Sequence, residues 1–319
     1  METATPVLDE TDRALITELQ RDGRASWNAI GRGIGIADTT ASRRAQRLIG
    51  DGIVRIVGGV DPLRCNLGYP VLIRMRTSPG GIGNVLDELA AREDVRFLAV
   101  VTGTSDVVVE LIVTSQHHLA RVVLDELHVI DGVEATVTST VMRHYKLSHH
   151  EPPAVSVGPD GRPELAADPL DEVDHRIVGE LTRDGRMSVA TLAANLGISE
   201  SMARRRVDAL ISDGRVVIST LLDADALGYH VEALVWLGVD FGCLETVADA
   251  LRQRPEVRYL AASAGEAELV AEVLLRDQAD LYRFATEVLG RMEGIRRTEL
   301  SLELEIVKRA WIRLTRLGD

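Results

Sequence analysis

The 319-residue chain has only two cysteines, Cys65 and Cys243. They stand far apart and without ligand-spaced partners, which argues against a disulfide framework and a cysteine zinc site. Lysine is nearly missing as well: Lys146 and Lys308 are the only two, so arginine carries almost all of the positive charge. No run of about 18 uncharged apolar residues occurs, so no membrane-spanning segment is expected. The opening METATPVLDETD is acidic and has no apolar stretch; it does not read as a signal peptide, and a cytoplasmic location is expected. A basic excess is also lacking, with a formal net charge of −13. Taken alone that disfavours a nucleic-acid partner, but DNA meets local charge rather than the total. Residues 1–61 sum to −1 and residues 224–319 to −5, so the acid excess lies away from the first candidate reader. What is present is a 45% hydrophobic composition, which at this length supports several folded domains.

The chain repeats itself. Residues 8–61 and 170–223 align without a gap at an offset of 162, with 23 of 54 positions identical. LDETD matches LDEVD, RDGRAS matches RDGRMS, and ASRRAQRLIGDG matches ARRRVDALISDG. The likeness continues through VRFLAVVTG and VRYLAASAG to Lys146 and Lys308. So long a period excludes a solenoid and implies a duplicated two-domain unit. Residues 148–169, rich in Pro and Gly, read as a linker. The expected domains are therefore 1–61, 62–147, 170–223 and 224–319.

Each unit opens with three short helical patterns. Leu8, Leu15, Ile16 and Leu19 share one face, as do Leu170, Ile177 and Leu181. Gly23 and Gly185 read as helix stops, and Ser26, Ser188 and Ser199 as N-caps. A third helix begins near Asp38, with Ala41, Ala45 and Leu48 facing inward. VRIVGGVD and VVISTLLD follow as wings. This is the plan of a winged helix-turn-helix, whose last helix meets base edges in the major groove. Thr40, Arg43 and Arg47 share its outer face, with Thr39, Ser42 and Gln46 beside them. Arginine pairs with guanine and phosphate, and glutamine with adenine. In copy two the corresponding residues are Ser201, Met202, Arg204 and Arg205, so either the two readers prefer unlike half-sites, or one binds mainly backbone, or copy one alone reads DNA. For Arg44 and Arg206, an ion pair with Asp12 or Asp174 competes with a DNA contact. Trp27 is assigned to packing.

The second half of each unit runs strand, helix, strand, strand, helix, strand, the βαββαβ order of a ferredoxin-like domain. HHLARVVLDELHVI reads as the second helix of that pattern. The strands are apolar on both faces, so each sheet is expected to cover the other. The fold class is α+β: two winged helix-turn-helix domains and two ferredoxin-like domains in tandem.

D-x-x-I/L-x-x-L, D-G-R-x-S, G-I and R-R-x-x-x-L-x-x-x-G, followed by a domain with T-G-x-x-D, resemble the Lrp/AsnC family of regulators, twice over. The resemblance implies a fused pseudo-dimer that binds a pseudo-palindromic double-stranded DNA operator. Its half-sites would lie about 34–36 Å apart if the helices align as in other dimers. It also implies a small-molecule effector, an amino acid or related metabolite, and further association of the fused pseudo-dimers. The residues matching the family's effector turn are Thr102, Gly103 and Asp106; in copy two they are Gly265 and Glu268, with Ala264 in place of the threonine. A polar hairpin turn held by those same groups is the competing reading. The resemblance leaves a second function open, since tetrapyrrole decarboxylases share the architecture without DNA binding. No catalytic residue, cofactor or metal is read: His117–His118 and His149–His150 lack partners at ligand spacing, and GGIG at 80–83 lacks a phosphate-loop lysine.

Overall fold

The computed structural model describes residues 8–60, 62, 65, 67–147 and 170–314. The 148–169 linker lies outside them. The described residues divide into two compact units. One joins the stretch up to residue 60 with 170–230, and so holds both helix-turn-helix domains. The other holds both βαββαβ domains.

In the first unit, α1 (Glu10–Arg21), α2 (Trp27–Ile34) and α3 (Asp38–Gly50) form copy one; α6 (Glu172–Arg183), α7 (Val189–Leu196) and α8 (Glu200–Ser212) form copy two. Local chemistry sets their starts. Asp9 and Asp171 each close a capping box, accepting from the backbone N–H of Asp12 or Asp174. Ser26, Ser188 and Ser199 accept from the third residue of their helices, as expected. The turns before α3 and α8 pass through Gly35 and Gly197 at φ 75° and 68°. Leu15, Leu19, Ile30, Ala41, Ala45 and Leu48 make the buried centre of copy one.

The two stretches read as wings pair with each other. Strand β1 (Val54–Val60) and strand β6 (Val216–Leu222) form an antiparallel ladder from Val54 opposite Leu222 to Val60 opposite Val216. This corrects the reading of Gly23 and Gly185 as helix stops. Neither has a positive φ. A Cβ on Gly185 would lie 2.8–3.0 Å from the Val57 backbone, and one on Gly23 2.8 Å from Ile218 Cγ2. They are glycines because strands of the other copy pass close by. The next residues close a reciprocal clasp. Arg24 donates to the carbonyls of Gly185 (2.6 Å) and Met187 (3.2 Å), and Arg186 to those of Gly23 (2.5 Å) and Ala25 (2.8 Å). Arg186 also lies 3.8 Å from the Trp27 ring centre, a cation–π contact that gives the tryptophan its packing role. The repeated D-G-R is thus the joint between the two helix-turn-helix domains.

The second unit contains β2 (Tyr69–Thr77), α4 (Ile82–Ala91), β3 (Val95–Val101), β4 (Val107–Val113), α5 (Gln116–Arg121) and β5 (Val133–Leu147). Copy two supplies β7 (Val231–Val239), α9 (Leu244–Arg252), β8 (Val257–Ala264), β9 (Leu269–Leu275), α10 (Gln278–Arg283) and β10 (Ile295–Arg309), with a short β11 (Ile312–Arg313). Each copy has the βαββαβ strand order, β3-β4-β2-β5 and β8-β9-β7-β10. The 15-residue strands β5 and β10 do double duty. Each pairs within its own copy through its first half, then bulges and pairs with β8 or β3 of the other copy. The eight strands therefore close into a barrel with no free edge among them.

The helices cover the outside. Val85, Leu89, Leu98 and Leu111 pack beneath α4 and α5, and Val247, Leu251, Leu260 and Phe284 beneath α9 and α10. Each outer core receives one residue from the other copy, Val307 in the first and Tyr145 in the second. The two lysines act in the same reciprocal way. Lys308 Nζ donates to the carbonyls of Arg92 (2.6 Å) and Ala90 (3.3 Å) at the end of α4; Lys146 Nζ donates to the Arg254 carbonyl (2.8 Å) just past α9. A cation there also meets the negative end of the helix dipole. One expectation needs adjustment. The helix read over HHLARVVLDELHVI is α only to Arg121, then makes a π turn over Val122–Glu126 and a 3₁₀ turn over Leu127–Val129. The wider turn puts Val122 and Leu127, both fully buried, on the same face.

Candidate functional site

On α3, Thr39, Arg43 and Gln46 are exposed, and Thr40 and Ser42 partly so. On α8, Ser201, Arg204 and Arg205 are exposed and Met202 partly so. Among the described residues, Arg43, Arg204 and Arg205 show no side-chain hydrogen bond or ion pair. Arg44 takes the structural option: its guanidinium meets Asp9 (2.6 Å) and Asp12 (2.9 Å), and Arg206 likewise meets Asp171 and Asp174. Capping by the Asp12 N–H and the Arg44 contact hold the Asp9 carboxyl below its usual range.

Arg47, read as a DNA contact, also reaches Asp12, at 2.6 Å. Asp12 is 1% exposed, and a carboxylate so desolvated needs a cation. Copy two shows how many it needs. Asp174 is held by Arg206 while Ala209 stands in the place of Arg47. One guanidinium therefore suffices, and Arg47, still half exposed, is the supernumerary partner.

The turns read from the family resemblance as effector-binding lie at seams between the copies. Thr102 exchanges two bonds with Leu302 of β10: its N–H donates to the Leu302 carbonyl and its Oγ1 accepts from the Leu302 N–H, both at 2.9 Å. Asp106 accepts from the Thr77 N–H at 2.7 Å, and Glu268 accepts from the Val239 N–H at 2.8 Å, each within its own copy. Gly103 has φ 107°, and a Cβ on Gly265 would fall 2.1 Å from Ser139 Oγ. The polar side chains of these motifs are thus engaged in holding the turns.

Sequence reasoning missed the residue that both turns surround. Arg74 of β2 is 5% exposed. Its guanidinium donates to Thr104 Oγ1, to the Glu299 carboxylate, to Ser105 Oγ (3.5 Å) and to Glu266 Oε2 (3.4 Å). It lies 4.7 Å from the centre of the Trp236 ring. Thr104 Oγ1 also donates to Glu299 at 2.6 Å. Arg74 and Trp236 hold equivalent places, opposite Val108 and Val270, so the pair sits where the copies' local two-fold axis passes. Thr104 comes from the turn of copy one and Glu266 from that of copy two. The signal in the sequence was an arginine between Ile73 and Met75, two positions before Arg76 in a strand whose preceding residues are apolar.

The barrel interior carries further charge. Arg96 pairs with Glu110, and the equivalent Arg258 with Glu272 and Glu232. Arg309 joins Glu232 (3.1 Å) and Glu272 (2.8 Å) and lies 3.7 Å from Glu303. Burial opposes the charge on Glu272, but Arg258 and Arg309 outweigh it and bring the carboxyl down to about 2. Burial and the Glu272 charge push Glu303 well up. Oxygens of Glu232, Glu272 and Glu303 lie within 4.8 Å of one another, a spacing that would suit a cation. The guanidiniums of Arg258 and Arg309 already face these acids. His144 is buried as well, with neither ring nitrogen hydrogen-bonded. Among the described residues, no helix is long and apolar enough to cross a membrane.

Comparison with known proteins agrees with this layout. The model of the AsnC-type helix-turn-helix domain matches residues 8–49 and 170–211, and that of the Lrp/AsnC ligand binding domain matches 70–150 and 232–310. An HTH-type transcriptional regulator of Pyrococcus abyssi, itself uncharacterised, is 34% identical over 133 residues, 41% of this chain and 84% of its own. The regulator LrpA of Pyrococcus horikoshii is 30% identical over 140 residues, 44% of this chain and 99% of its own. Among solved structures, the siroheme decarboxylase NirDL shares the fold over 97% of this chain and 95% of its own, with a TM-score of 0.66 and 17% identity.

Proposed function

Since the chain belongs to the Lrp/AsnC family, with both family domains present twice, we propose that it is a sequence-specific DNA-binding regulator that reads an asymmetric operator. One observation carries the reading. Two unlike recognition helices, one presenting Arg43 and Gln46 and the other Arg204 and Arg205, are joined in one compact unit by the β1–β6 ladder and the arginine clasp. A pair of identical readers demands a palindrome; two different readers fixed together favour half-sites that differ. Arg47 adds to copy one alone, because Asp12 keeps Arg44 when Arg47 turns to DNA. A small molecule, an amino acid or a related metabolite, modulates binding through the barrel unit. Met142 and Leu304, equivalent and half exposed, give that unit two symmetric apolar points for association with further copies.

Selection of genomic DNA fragments by the purified protein tests the reading. Two dissimilar half-sites in fixed relative orientation are expected. Arg43→Ala should weaken binding by about 1–3 kcal/mol and relax preference in one half-site only. Recovery of a perfect palindrome, or of no motif, would overturn it. The whole-chain likeness in fold to a siroheme decarboxylase favours a second reading, a tetrapyrrole decarboxylase. A bound tetrapyrrole that loses carbon dioxide on incubation, in protein that selects no DNA, would establish that reading instead.

A further inference from the structure

The outer faces of the two βαββαβ domains have diverged in charge. In copy one, α4 and the 3₁₀ turn that ends the second helix flank a groove of about 420 Å³, whose lining includes Glu88, Arg92, Glu126, Val129, Ile130 and Asp131. Val129 is 78% exposed at its rim. Glu88, Asp131 and the neighbouring Glu134 are exposed as well. Arg92 is already held by Asp94 (2.7 Å) and Glu126 (2.8 Å), so the groove presents acid around Val129 and Ile130.

The same positions of copy two are Ala250, Arg254, Val288, Arg291, Met292 and Glu293, and Arg296 stands in the place of Glu134. Over these seven positions the net charge is −3 in copy one and +2 in copy two. Phe241, 72% exposed, stands beside the basic stretch. The N–H of the preceding Asp240 donates to the Gly294 carbonyl at 2.8 Å, and its carboxylate meets Arg296 at 3.3 Å. Arg296 remains more than half exposed in that pair. Arg291 is exposed and, among the described residues, shows no side-chain hydrogen bond or ion pair.

We propose that the acidic groove of one molecule receives the basic, aromatic face of a second copy of this chain. Phe241 seats on Val129 and Ile130, and Arg291 and Arg296 face Glu88, Glu126 and Asp131. Single exposed ion pairs hold little, so the strength lies in the joined set around a seated ring. The contact joins unlike faces. Two identical domains could not make it, because each would bring the same charge. Divergence of the copies within one chain is what creates it. Each molecule carries one groove and one basic face, so the contact either closes between two molecules or runs head to tail into a ring. It is separate from Met142 and Leu304, which are apolar in both copies. It also needs no DNA, since neither face belongs to the helix-turn-helix unit.

The test is sedimentation velocity of the full-length protein across a range of concentrations. Two surface variants separate the faces. Glu88→Ala with Asp131→Ala strips acid from the groove, and Arg291→Ala with Arg296→Ala strips the basic face. Each variant alone should associate at least about ten-fold more weakly than the wild type. Net charge alone predicts the reverse for the first variant, which lowers the repulsion between molecules of charge −13. Mixed in equal amounts, the two variants should form a one-to-one complex, because one supplies an intact basic face and the other an intact groove. Contact between like faces predicts a mixture no better than either variant, and that result would overturn the proposal. So would a wild type that stays a single chain throughout, or association unchanged in both variants. Loss of DNA binding in the arginine variant with association intact would also overturn it, and would assign the basic face to nucleic acid. The regulator reading fails separately, through the absence of a selected DNA motif.

Discussion

His144 offers a direct test of the barrel interior. It lies on β5, edge-on to the Tyr259 ring at 5.6 Å, with Arg96 as the nearby charge and neither nitrogen hydrogen-bonded. Burial, and then the Arg96 charge, bring the imidazole down from 6.5 to about 3. The folded protein therefore holds it neutral where the unfolded chain takes up a proton. Between those two values the unfolded state binds more protons, so stability falls as pH falls. At pH about 5 the loss from this one group is about 2 kcal/mol relative to neutrality. His144→Ile supplies the reference, because Ile306 fills the equivalent position in copy two. Urea unfolding of both proteins from pH about 7.5 to about 5 gives the difference in stability at each pH. The other acids of the interior affect both curves alike, so the difference should shift by about 2 kcal/mol in favour of the variant on acidification. Parallel curves would refute a buried, neutral His144.

Lys146→Met and Lys308→Met should each destabilise by about 1.5–3 kcal/mol, the range for a charge-assisted bond to a carbonyl, read as a lower urea midpoint at unchanged slope. Two glycines of the first unit should respond in opposite directions in thermal unfolding. Gly185→Ala drives a methyl into the Val57 backbone and should cost about 1–3 kcal/mol. Gly179→Ala, exposed on α6 with nothing within 4 Å, should stabilise by up to about 1 kcal/mol.

Some of this was legible along the chain because the forces involved are local. Ser26, Ser188 and Ser199 cap helices through bonds that span three residues. Gly35 and Gly197 need a positive φ for a turn closed by their neighbours. The duplication made the pairing of the two sheets readable as well. What escaped depends on register between the copies. Gly185 is a glycine because Val57 passes beside it, and nothing near Gly185 in sequence says so. Arg74 and Trp236 lie 162 residues apart, and only closure of the barrel stacks one on the other. Asp106 and Glu268 have the composition of ligand contacts, and in the structure their carboxylates accept from the Thr77 and Val239 N–H groups at the ends of β2 and β7. Arg47 has helical spacing suited to a groove, and only the depth of Asp12 shows its second allegiance.

The closed barrel has a consequence for how the protein behaves at low abundance. A barrel assembled from two separate chains is a second-order product, and its occupancy falls as the cell dilutes them. Here both halves of every ladder, clasp and lysine cap belong to one polypeptide, so closure is first-order. The barrel of a single molecule is as fully closed at low concentration as at high. The dose at which such a molecule occupies a site then reflects its affinity for that site, without a prior pairing step to bend the response.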